Sequence, residues 1–441
     1  MESKKTKKLK DYEILISDKY ILDARIKLGS GSTGDVYSGR ELNTGNPLAI
    51  KLEASYHNPS LLYHEFKIYM MLQKIERIPK IYFIGHQGNY FILVMDLLGP
   101  SIKDQMKYIK KPFSLGTTLK ISIQLLDILN KIHKKGVLLR YIKPANIAVG
   151  RGINEDYVYF IDFGLAKNYL KYGIHSKYKE GKKRKGNIHF ISINVHNGIK
   201  VSRRDDIESL GYNLVYFMKG KLPWSDCLHG QEAKTKKIET SLDELCEGLP
   251  EEFKEFINYA RQLKFSEEPD YNYLKSLLLK AGEKYKINID SVKYDWVIYK
   301  ENLQKEKNVK INEMEGEEKA DNKKAKKDID PENNTSEDVN GVIEEKILED
   351  DKNNGEGKIS ENVENEKDKI NVIIENDKDK INEKTETGIN KISENGENEK
   401  EKVKITENDE KEKNINYDDT DEKEKDQTYE KDKESEKEEK S

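Results

Sequence analysis

Only two cysteines, Cys227 and Cys246, occur in 441 residues. A disulfide framework is therefore excluded as the source of stability, and a reducing compartment, cytoplasmic or nuclear, is expected. No stretch supplies the roughly 20 successive apolar residues that a membrane-spanning helix needs. The opening Met1-Glu2-Ser3-Lys4-Lys5 also lacks the apolar run of a signal peptide, so no membrane association is expected. Aromatic residues are missing between Asn302 and Tyr417, where the chain is Lys, Glu, Asn and Asp with isolated isoleucines. So little apolar surface cannot offset chain entropy, which makes 301–441 an expected disordered, acidic, low-complexity tail.

Charge divides the chain at the same place. Residues 1–300 carry fifty Lys and Arg against thirty-five Asp and Glu, a net +15, and the total of −4 leaves −19 for 301–441. Within the tail, Leu348, Ile359, Ile370, Ile381, Ile392 and Val403 recur every eleven residues. That period can specify a right-handed supercoil, but one apolar residue per repeat is too sparse a seam, so the repeat is read as duplicated low-complexity sequence and not as a coiled coil. A basic extension is expected over 1–17, and one folded unit over 18–300.

Inside that unit, Leu28-Gly29-Ser30-Gly31-Ser32-Thr33-Gly34-Asp35-Val36 is a glycine-rich turn between apolar stretches, Tyr20–Leu28 and Val36–Tyr37. Glycines let backbone N–H groups close over phosphates without a Cβ in the way. A dinucleotide fingerprint would be followed by a helix; here another strand follows, Pro47–Leu52, carrying Leu48-Ala49-Ile50-Lys51. Fourteen residues after Lys51, Glu65 sits in a predicted amphipathic helix, Leu61–Leu72, placed to pair with it. Next come Leu139-Arg140-Tyr141-Ile142-Lys143-Pro144-Ala145-Asn146 and then Tyr159-Phe160-Ile161-Asp162-Phe163-Gly164. Asn146 and Asp162 offer the hard oxygen ligands that Mg2+ prefers beside ATP phosphates. This order of glycine turn, lysine, glutamate, catalytic loop and Asp-Phe-Gly is that of a protein kinase.

Longer stretches are similar to the casein kinase 1 family. They are Leu97-Leu98-Gly99-Pro100-Ser101, Ser192-Ile193-Asn194 where most kinases have Ala-Pro-Glu, Ser202 to Tyr212, Leu222-Pro223-Trp224, Leu245-Cys246-Glu247-Gly248 and Pro269 to Leu274. The resemblance implies an α+β, bilobal fold over 18–300, with a β-rich small lobe (18–95), a hinge (96–99) and a helical large lobe (100–300). It implies serine/threonine kinase ancestry, Met95 as gatekeeper, Asp96 to Leu98 beside adenine, Ala49 and Ala148 around it, and Asp206 bracing the catalytic loop.

The departures cluster. The aspartate of His-Arg-Asp is Tyr141, and the second family aspartate of the loop is Ala145. No acidic residue lies between Asp127 and Glu155 to stand in. A phenol, titrating near about 10, is a poor proton acceptor at neutral pH, and loss of a general base costs roughly 10²- to 10⁴-fold. Phosphoryl transfer depends mainly on positioning and metal charge, so slow transfer stays open as an alternative. Thr-Gly-Thr-Ala-Arg-Tyr of the family reads Lys185-Gly186-Asn187-Ile188-His189-Phe190, which puts a weak cation, His189, where an arginine meets phosphate. Ala148 replaces a leucine under adenine, at a cavity-type cost of about 1–3 kcal/mol, and Thr33 replaces an aromatic at the loop tip. Nucleotide binding is expected to be weakened and kept; a module that binds none is the third reading.

Lys179, Lys182, Lys183, Arg184 and Lys185 make the activation segment basic, a solvated run, a nuclear-localisation signal or a surface for acidic proteins. No nucleic-acid motif is present in 1–300. The expected partners are acidic proteins and, through its tether, the chain's own tail; a monomer is expected.

Overall fold

The computed structural model describes residues 9–31, 34–55 and 60–309. The expectations for Ser32, Thr33 and 310–441 lie outside the described residues.

Alternating apolar residues build the first layer. Strands β1 (Glu13–Ile16), β2 (Tyr20–Gly31), β3 (Gly34–Glu41) and β4 (Pro47–Ala54) precede helix α1 (Leu61–Leu72), followed by β5 (Ile81–Gln87) and β6 (Tyr90–Asp96). They form a six-stranded sheet in the order β1-β2-β3-β4-β6-β5. Tyr20, Leu22, Tyr37, Leu48, Ile50, Ile92 and Val94 bury one face, while Leu62, Tyr69 and Leu72 of α1 pack with Leu93 and Met95 on the other. The predicted helix Leu61–Leu72 forms over those residues, entered through Ser60, whose hydroxyl accepts the Tyr63 N–H.

Two boundaries differ from expectation. The basic extension 1–17 contains β1, whose Glu13–Ile16 pair with Tyr20–Asp23, so the sheet begins inside it. Four residues become a strand only because β2 supplies their backbone partners. At the other end, 295–309 is helical, so the tail expected from 301 begins inside a helix. Trp296 stacks on Tyr294 and Tyr299 meets Tyr108 edge-on, which anchors that helix.

The second layer is helical. It comprises α2 (Ile102–Ile109), α3 (Leu115–Lys134), short strands β7 (Val137–Leu138), β8 (Ile147–Val149), β9 (Val158–Phe160), β10 (Lys167–Asn168), β11 (Leu170–Lys171) and β12 (Ile174–His175), then α4 (Ile193–His196), α5 (Arg203–Lys219), α6 (Gly230–Glu239), α7 (Leu242–Leu245), α8 (Glu251–Gln262) and α9 (Tyr271–Lys284), with the helix at 295–309 as α10. The fold is α+β and two-lobed. Helices α3 and α5 are buried along most of their length, with Leu125, Leu129, Leu210 and Leu214 almost fully enclosed. A satellite core, Phe190, Tyr212, Trp224, Leu245 and Ile257, underlies the activation segment. Among the described residues no helix is long and apolar enough to cross a membrane, and both cysteines are free and buried.

Candidate functional site

The cleft between the two layers collects most of the residues singled out above. The glycine turn is the end of the β2–β3 hairpin, with Gly29 opposite Val36, Ser30 opposite Asp35 and Gly31 opposite Gly34. Asp35 closes the turn on itself: it accepts from the Ser30 hydroxyl at 2.6 Å and pairs with Lys27 at 2.9 Å. Gly34 has φ +114°, and a Cβ there would stand 2.0 Å from the Leu52 carbonyl oxygen, so only glycine fits. Leu28 is partly exposed and Val36 half-buried; Val36 faces Lys51 across β3–β4, and Ala49 faces Met95 across β4–β6.

Lys51 is buried, and its ammonium donates to Glu65 Oε2 at 2.6 Å and lies 3.9 Å from Asp162 Oδ1. Burial opposes its charge, but Glu65 and Asp162 outweigh it and push the lysine's pKa up. Burial pushes the Glu65 carboxyl up as well, against the ammonium and the Phe163 N–H, which bonds Oε1 at 3.3 Å. One glutamate on α1 thus ties the β4 lysine to the backbone of Asp162-Phe163-Gly164. Asp162 holds φ +65°, a left-handed conformation that a non-glycine residue adopts only under constraint.

Two residues that the sequence did not flag set this up. Glu53, buried two residues after Lys51, accepts from Leu61 N at 3.0 Å, Leu62 N at 2.8 Å and the Ser60 hydroxyl, fastening the start of α1 to β4. His64, next to Glu65, meets the Ala166 carbonyl at 2.8 Å.

At the hinge, the Asp96 side chain is turned to β5. Its carboxylate accepts from Lys80 N and the Tyr82 hydroxyl, both at 2.8 Å, so it is engaged by β5 and Asp96 ends β6. The connection that follows is Leu97 to Gly99, with Leu98 half-buried and Gly99 N bonded to the Val149 carbonyl at 2.8 Å. Ala148 is buried on β8 and bridges to Ser101 just beyond the hinge.

The catalytic loop is held from below. Asp206 on α5 accepts Leu139 N and Arg140 N, both at 2.8 Å, and His133 Nε2 lies 2.9 Å away. These bonds support Arg140 at φ +67°. Burial pushes the Arg140 guanidinium below its ordinary pKa, with Asp206 pulling the other way.

Tyr141 is half-buried, and its hydroxyl accepts from Lys143 Nζ at 2.9 Å while the same ammonium lies 4.1 Å from the ring centre. Its carbonyl takes the Asn146 side-chain N–H at 3.1 Å, which leaves Asn146 Oδ1 for a cation. Asn146 Oδ1 and the part-exposed Asp162 carboxylate are hard oxygen donors of the kind magnesium takes. Among the described residues there is no cluster of three or more His, Cys, Asp or Glu that could hold a metal ion.

The activation segment reaches this loop at Gly186, φ +110°. A Cβ there would meet the Arg140 carbonyl at 2.8 Å and the Tyr141 ring at 3.7 Å. His189 departs from its expected role: its Nε2 meets the Cys227 carbonyl at 3.0 Å and is turned inward.

The protein kinase domain family matches residues 23–274, more than half of the chain.

Proposed function

The chain belongs to the protein kinase family, and from that premise we propose a casein-kinase-1-like pseudokinase that binds ATP with Mg2+ and acts as a scaffold or regulator of acidic proteins. The observation that carries this reading is the contrast across the cleft. Toward the nucleotide, Lys51, Glu65, Asp162 and Asn146 keep the lysine anchor and the two oxygen donors. Toward the substrate, the position of the proton acceptor is a phenol hydrogen-bonded to Lys143, and no carboxylate in the loop replaces it.

ATP would be held by the turn from Leu28 to Val36, by Lys51 at the phosphates, and by Ala49, Met95, Leu98 and Ala148 about the base. Mg2+ would rest on Asn146 and Asp162, supplying charge that the phosphates need. The intact Lys51–Glu65 pair also favours a second reading, a slow serine/threonine kinase, since positioning and metal charge carry much of phosphoryl transfer. The basic stretch Lys182 to Lys185 and the −19 tail support acidic proteins as partners, with the tail as a tethered competitor. A cytoplasmic or nuclear location and a monomeric state belong to the same proposal.

Thermal unfolding with and without ATP–Mg2+ tests the nucleotide half of the proposal. A raised melting temperature that needs both is expected; no shift would favour the reading without nucleotide.

A further inference from the structure

Lys237 lies outside the cleft, on a helix whose sequence, Lys234-Thr235-Lys236-Lys237, reads as a solvated charge run, yet its side chain is fully buried. Its ammonium reaches across to the activation segment. It donates to the Ile191 carbonyl, to His189 O at 3.2 Å and to Ile188 O at 3.5 Å. The same nitrogen sits 4.6 Å from the Tyr212 ring centre and 5.0 Å from that of Trp224. Carbonyl dipoles and aromatic faces are what a buried cation needs in place of water. Burial pulls the lysine's pKa down, to about 7, while Glu208 favours the charge and Arg261 opposes it.

The segment so held is short and cross-braced. Trp224 Nε1 donates to His189 O at 2.7 Å, and His196 Nε2 meets Ile188 O at 3.0 Å. Two helical turns before Lys237, the Arg184 guanidinium lies against Gly230, where a Cβ would meet Arg184 Nη1 at 2.2 Å. Helix α6 therefore touches the activation segment at two places, at Arg184 through its first residue, Gly230, and at 188–191 through Lys237.

We propose that Lys237 is a positioning residue: its ammonium fastens 188–191 onto α6 and thereby fixes Lys182 to Lys185 beside the catalytic loop as a preformed docking strip for an acidic peptide segment. The docking half rests on the function proposed above. The fastening half stands on the geometry alone.

Hydrogen–deuterium exchange on the full chain tests the latch. In Lys237→Met the amides of 186–192 should exchange about tenfold faster than in the wild type, while β2–β6 keep their protection. Lys237→Gln, too short to reach the three carbonyls, should do the same to a lesser degree, and it is the variant to read if the methionine form does not fold. Unchanged exchange at 186–192 in a folded variant, or a uniform rise across the chain, would overturn the proposal. With poly-L-glutamate as probe, the variants should bind about threefold more weakly and keep the wild-type ATP–Mg2+ melting shift. A parallel loss of both would mean that Lys237 acts only through global stability. The exchange arm is read whether or not the chain binds poly-glutamate, so a failed docking reading is told apart from a failed latch.

Discussion

Lys143 is bound twice by one side chain: its ammonium donates to the Tyr141 hydroxyl at 2.9 Å and sits 4.1 Å from the centre of the same ring. On the proposed reading, a tyrosine in place of the loop's aspartate does more than remove a proton acceptor. It fills the place with an aromatic ring against Gly186 and engages the neighbouring cation. The loop backbone keeps its support from Asp206 throughout.

The Lys51–Glu65 pair is expected to carry nucleotide affinity. Lys51→Met should abolish most of the ATP–Mg2+ melting shift and should also lower the melting temperature without nucleotide, because it leaves Glu65 buried and unpaired at a cost of about 3 kcal/mol. Differential scanning fluorimetry reads both effects.

Asp206 should matter more to stability than to binding. Asp206→Ala strips two backbone N–H groups and His133 of their acceptor and leaves Arg140 at positive φ without support. Urea unfolding should show a loss of about 3–5 kcal/mol.

His196 should make stability pH-dependent. Burial, reinforced by the Lys237 ammonium and by Arg184 and Lys234, pushes its pKa down to about 3, so the folded form stays neutral where the unfolded chain takes a proton. A depressed histidine contributes stability above its ordinary value near 6.5, lost as pH falls toward 3. The stability difference between wild type and His196→Gln should shrink by about 1 kcal/mol from pH 7.5 to pH 5, allowing for partial screening.

Much of this architecture was legible in the sequence, for physical reasons that differ by element. The α1 bounds followed from apolar periodicity, and the Lys51–Glu65 pairing from the kinase order of the motifs. The signals that failed depend on partners distant in sequence. Strand β1 is four residues among lysines and acids, and only pairing with β2 reveals it. The helix at 295–309 owes its anchorage to Tyr108 and Tyr294, while its own sequence merges into the charged tail. Lys237 and Glu53 are charged residues that local sequence places on a surface; tertiary contacts alone bury them. His189 was judged by residue type, and its direction is set by the Cys227 carbonyl.

The tethered-competitor account is tested by truncation after Val309, which spares the helix at 295–309. Removing the acidic tail should strengthen poly-glutamate binding at low salt, and the gain should fade as salt screens exposed charges over about 10 Å. Equal affinity of both forms at low salt would contradict it.

The central claim, that the nucleotide side is kept and the transfer side lost, meets its most direct test in radiolabelled phosphate transfer from ATP to an acidic serine peptide. Wild type, Tyr141→Asp and Asp162→Asn are to be compared. The wild type should be at the blank, and Tyr141→Asp should raise transfer by roughly 10²-fold or more, the scale of a restored general base. Robust wild-type transfer that Asp162→Asn abolishes would contradict the account and establish an active kinase working without the loop aspartate.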